Sequence, residues 1–181
     1  MVAPTSRQNQ VPAWQPGDIA DIPLERIAEF PLLAAVLDVW EASAADRMPP
    51  TIDPTVLPRA IVKGVNLFDI DPVTRDARIR LSGGLVTRFI GREMRGEMTA
   101  SIYVGSDLEA VQRSTKAAMT SRRPSLARRK LIDSRGRLWA YFRLLLPLSS
   151  DGSQADRFAT VIDPATFGRL EPDRPPVSAK D

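Results

Sequence analysis

The sequence predicts an α+β domain: a five-stranded antiparallel sheet with short helices over one face and an amphipathic helix ahead of it. Three observations lead there. Ala77, Ile79 and Leu81 alternate with Arg78 and Arg80, the period of a half-buried strand. Leu33, Val36, Leu37, Trp40 and Ala44 recur at helical spacing behind Pro31. Three strand-like runs, 125–133, 138–148 and 156–163, are then separated by Ser134-Arg135-Gly136 and by the Asp151-Gly152 turn.

Sixteen prolines in 181 residues mark the flanks. Pro4, Pro12, Pro16 and Pro23 lie among small and polar residues, so 1–28 reads as a proline-rich, largely disordered arm. Pro172, Pro175 and Pro176 give 166–181 the same character, which leaves 29–165 as one domain. An apolar content of 43% is enough for its core. The first helix, Pro31 to Ala45, presents Leu33, Leu37 and Trp40 as a stripe that needs apolar cover, so it is expected outside the sheet as a partner or homodimer surface. Asp53 caps a turn whose first residue is Pro54, and Pro58 is expected to stop it. A strand over 61–70 then joins the strand over 75–84 through the Asp71-Pro72 turn. Gly83-Gly84 opens a short apolar helix, Leu85 to Ile90, followed by a loop from Gly91 to Gly96. Ser106-Asp107-Leu108-Glu109 reads as the capping box of another helix, with Val111, Thr115 and Ala118 on one side and Pro124 at its end. Lys116, Arg122 and Arg123 near its C-terminus suit the helix dipole.

Taken in order, Trp40, Met48-Pro49, Ile52-Asp53-Pro54, Leu57-Pro58, Arg78-Ile79-Arg80-Leu81-Ser82-Gly83 and Gly91-Arg92 to Gly96 resemble the motif series of a family of small, single-domain PAS-like proteins, mainly alphaproteobacterial. The resemblance covers roughly Phe30 to Asp163; Gly84 departs from the hydroxyl residue expected after Gly83. It implies a PAS-like fold and a sensor or interaction role in bacterial signalling rather than a reaction. The flanks of this sequence are short and polar, so any signal is expected to pass by contact with a separate, unidentified signalling protein.

The chain has no His and no Cys. Imidazole bases, thiol nucleophiles and the usual zinc sites are therefore absent, and so are haem held through His or Cys and a cysteinyl-flavin adduct, both used by some PAS-like sensors. Which cofactor, if any, the domain takes is left unknown. Asp69, Asp71 and Asp76 crowd the first hairpin, where turn hydrogen bonding explains Asp better than acid–base or Mg²⁺ chemistry. With no Gly-x-Ser-x-Gly elbow or Walker sequence either, no enzyme is expected. The absence of Cys suits a reducing compartment, Met1 to Gln10 has no apolar core, and Leu138 to Leu148 is broken by Arg143 and Pro147. A cytoplasmic protein with no membrane span is expected.

Two groups of residues carry the functional expectations. Phe89, Ile90, Met94, Tyr103, Trp139 and Tyr141 are candidates to line a small-molecule pocket between helices and sheet, although core packing is the commoner role of such residues. Residues 113–143 hold ten Lys or Arg against one acid, Asp133, while residues 18–76 hold eleven acids against five Lys or Arg. Within the basic segment Arg128, Arg129 and Lys130 are candidates for an anionic partner such as a nucleotide messenger. Alternation places Arg129 on the face opposite the other two, and nucleic acid ranks below the sensor reading because edge strands and helix ends carry such charges anyway.

Overall fold

A computed structural model describes residues 14–15, 19–44, 46–133 and 135–170. Its strands are β1 (Trp14–Gln15), β2 (Ile19–Ile22), β3 (Val65–Ile70), β4 (Ala77–Leu81), β5 (Ser125–Asp133), β6 (Leu138–Leu148), β7 (Arg157–Ile162) and β8 (Gly168–Arg169). The helices are α1 (Pro31–Ser43), α2 (Arg59–Val62), α3 (Gly84–Ile90), α4 (Thr99–Ile102) and α5 (Gly105–Ser121), with 3₁₀ turns at Leu24–Glu29 and Pro54–Val56.

The strands form one eight-stranded sheet, antiparallel at every pairing among the described residues. Its centre runs β4-β3-β7-β6-β5, so the last long strand lies between the first strand of the hairpin and β6. The expected five strands are therefore joined by three short ones. β1 and β2 pair along the outer edge of β5, and β8 pairs with β6 beside Trp139 and Ala140. Residues 19–28 thus belong to the domain rather than to an arm, and 166–170 belong to it rather than to a tail; residues 1–13, 16–18 and 171–181 lie outside the described residues. Covering β5 with β2 also removes an exposed row of backbone donors and acceptors.

Strand alternation sends side chains to two covered faces. On the first, Leu126, Leu144, Leu146, Leu148, Ala159 and Val161 meet Leu33, Val36 and Leu37 of α1 together with Ile52, Leu57 and Ile61. Leu33 and Val36 are 0% exposed, and burying such side chains contributes about 1.5–3 kcal/mol each. The apolar cover expected from a partner for Leu33 and Leu37 is thus supplied by the domain's own sheet. Trp40, half-buried, packs on the same cluster and donates Nε1–H to the Pro147 carbonyl at 2.8 Å.

Two expected boundaries move for identifiable reasons. Asp53 caps its turn, accepting from the Thr55 amide at 2.8 Å, and the turn ends before Pro58; the strand expected from 61 starts instead at Val65, because residues 59–62 are helical behind the N-cap Pro58. Its ψ of 130° and fixed φ suit the residue before a helix. Gly64 then reverses the chain into β3 where a Cβ would lie 2.1 Å from the Ile162 carbonyl oxygen, so only glycine fits. At α5 the helix starts at Gly105 behind Val104, with no side-chain cap; Ser106 is not a capping residue, and Asp107 in the first turn faces inward.

Candidate functional site

The second sheet face is covered by α3, α4 and α5 and carries the polar interior. β5 directs Ala127, Arg129 and Leu131 towards it, and β6 directs Trp139, Tyr141, Arg143 and Leu145. Arg129 is 2% exposed. Its Nη2 donates to both oxygens of Asp107 at 2.7 Å, and its guanidinium carbon lies 4.6 Å from the centre of the Tyr103 ring. Asp107 is itself favoured by the positive end of α5. Burial nevertheless pushes its carboxyl up, against the opposing pull of Arg129 and Arg143. Arg143, 5% exposed, donates Nη2–H to Ser114 Oγ at 3.1 Å. Burial lowers its pKa, and the neighbouring charge of Arg129 lowers it further. Burial likewise raises the Tyr141 hydroxyl.

Two small cavities lie in this layer. One, of about 60 Å³, is lined by Phe68, Met94, Tyr103, Tyr141, Arg143 and Thr160, among others. The second, of about 30 Å³, is lined by Phe89, Ile90, Tyr103, Tyr141 and Phe167 with Arg129 at its wall. Both are far below the roughly 300–1,000 Å³ of ordinary small-molecule pockets. A wider open cleft, about 600 Å³, runs outside α5 beside the β3–β4 turn and shares Thr99, Val111 and Thr115 with the 60 Å³ cavity.

Five of the six pocket candidates therefore line these two cavities, while Trp139 stacks edge-on against Phe89 at 5.3 Å behind them. Sequence reasoning missed Phe167, which stacks on Tyr141 at 5.4 Å and also touches Phe89 and Trp139. It is held there because Asp163 Oδ1 accepts from the Ala165 amide and Thr166 Oγ1 accepts from the Phe142 amide. No alternation announces a lone Phe after a Pro-Ala-Thr turn. Asp107 was missed as well, its helix-start position suggesting only a cap.

The basic trio separates. Arg129 is inside and paired, which takes it away from any external anionic partner, and Arg128 and Lys130 are half-buried on the α1 side of the sheet. The three hairpin acids separate too. Asp71 accepts from the amides of Val73 and Thr74, Asp69 lies 3.4 Å from Arg157, and Asp76 accepts from the Ala100 amide at 2.9 Å and from the Thr99 hydroxyl, fastening α4 to the hairpin. In the Gly91–Gly96 loop the Met94 and Arg95 amides donate to Glu93, and Arg92 pairs with Glu97, so the loop's own acids take these donors.

A family model described as PAS domain matches residues 30–163, and the chain belongs to that family. The sheet with its flanking helices fits that assignment, which carries a sensory or interaction role. No curated protein and no solved structure matches the chain. Among the described residues no helix is long and apolar enough to cross a membrane.

Proposed function

We propose that this chain is a non-catalytic, cytoplasmic PAS sensory module whose input site is the layer between β5–β6 and helices α3–α5 and whose output is contact with a separate signalling protein. The observation that carries this reading is the concentration of charge in that layer. Two buried arginines face one buried aspartate among aromatic rings, where an apolar filling would be the more stable choice. Such charge is sensitive to anything that enters or reshapes the layer. Asp107 and Ser114 both sit on α5, so a change at either arginine is transmitted to a helix whose other side is exposed.

In-cell cross-linking in the native host, followed by assay of each captured signalling protein with and without the purified chain, tests the reading. A partner whose activity changes when the chain is added supports it. Captured partners whose activities are all indifferent to the chain contradict it. A homodimer would use the outer surface of α1 or α5, since Leu33 and Leu37 are committed to the core.

A further inference from the structure

Arg143 is the least satisfied charge of the interior. Its guanidinium is 5% exposed, lines the 60 Å³ cavity and makes one hydrogen bond, to Ser114; Nε is buried and meets no acceptor among the described residues. Asp107, which is hydrogen-bonded to Arg129, and Asp21 on the edge strand β2 act on Arg143 only at longer range. Of the three buried carboxylates, Asp107 is taken by Arg129, Asp76 accepts from Thr99 and Ala100, and Asp163 accepts from the Ala165 amide, so Arg143 has no bonded counter-charge among the described residues, and a buried charge in that position is costly. We propose that the cavity at Arg143 binds a small carboxylate monoanion, with the carboxylate on the guanidinium and a short apolar tail against Phe68, Ile79 and Phe158. This rests on the sensory reading and names its ligand class.

The fit follows from size and shape. About 60 Å³ admits a group of a few heavy atoms, since a water occupies roughly 30 Å³. A planar pair of oxygens matches the planar donor fork of arginine better than a spherical ion does. Asn66, Thr99, Thr115 and Thr160 add polar wall beside the apolar one. Thr99, Val111 and Thr115 separate the cavity from the open cleft and mark the route of entry.

The test titrates the full chain with formate, acetate, propionate or chloride, with ionic strength held by a bulky sulfonate, and follows the Arg143 Nε–H resonance in ¹⁵N spectra together with the melting temperature. The expected result is a saturable shift of that resonance and a rise of a few degrees with acetate or propionate. Arg143→Met removes an unpaired buried charge, so it should melt no lower than the wild type without anion and lose the acetate response entirely. Ser114→Ala, which changes only the guanidinium's support, should weaken the response severalfold. A wild-type resonance that moves with no probe overturns the proposal, as does a response to chloride alone or an acetate response that survives in Arg143→Met. If Arg143→Met does not fold, the wild-type resonance alone decides. None of these outcomes bears on partner activity, which tests the sensory reading separately.

Discussion

Arg129 on β5 and Asp107 on α5 form an ion pair in which both partners are at most 2% exposed and one guanidinium nitrogen lies 2.7 Å from each carboxylate oxygen. The pair ties the first turn of the long helix to the middle of strand β5. Asp107→Ala would take from Arg129, buried beside Arg143, the carboxylate that its Nη2 bonds, at an expected loss of about 3–5 kcal/mol in urea unfolding. An Asp107→Leu, Arg129→Met double variant should recover most of that stability, because an apolar pair of similar volume can replace a buried ion pair at little net cost. A double variant as unstable as Asp107→Ala would show that the loss arises elsewhere.

Trp40 fixes the opposite face. Its ring covers the cluster under α1 and its Nε1–H reaches the Pro147 carbonyl, which has no strand partner beyond β7 at that point. Trp40→Ala should lower stability by about 3 kcal/mol and Trp40→Phe, which keeps apolar cover but loses the donor, by about 1 kcal/mol. Chemical unfolding of both variants separates packing from hydrogen bonding, and an unchanged midpoint for Trp40→Ala would contradict the packing role.

Two backbone positions should respond in opposite directions. Arg122 ends α5 in the left-handed region at φ 55°, so Arg122→Gly should stabilise by about 1 kcal/mol. Gly64→Ala should do the reverse and severely, because its Cβ meets the Ile162 carbonyl rather than a flexible side chain. Paired thermal melts check both signs.

The turn between β6 and β7 sets an acid limb. Amide and hydroxyl donors of Ser153, with those of Ser149 and Gln154, hold the Asp151 carboxyl well below the usual carboxylate range. Its ionised form is thus bound better in the folded state, and the contribution is complete at neutral pH. It begins to fall as pH drops through the unfolded value of about 3.9 and vanishes below the folded one. Urea midpoints of wild type and Asp151→Asn should therefore differ at pH 7 and converge towards pH 2.5. A difference that widens on acidification would contradict the assignment.

The long central elements were legible because one local signal fixes each. β5 and β6 begin and end where alternation meets Pro124, Gly136 and the Ser149–Gly152 turn, and α1 follows from Pro31 and its apolar spacing. β1, β2 and β8, of two to four residues, carry no period long enough to read, and they exist because β5 and β6 offer open edges. The aromatic half of the candidate site was visible as alternation along β6. Of its charged half, alternation along β5 set Arg129 apart from Arg128 and Lys130, but its carboxylate partner was hidden because Ser106-Asp107 resembles an ordinary helix start.

The most direct measurement is chemical-shift mapping of the full chain against a library of small metabolites. The expected result is that at least one compound gives saturable shifts centred on Met94, Tyr103, Tyr141 and Arg143 and spreading along α5. Saturable shifts confined to Arg128, Lys130 and the exposed surface of the sheet, with the interior unmoved by every compound, would contradict an input site between sheet and helices.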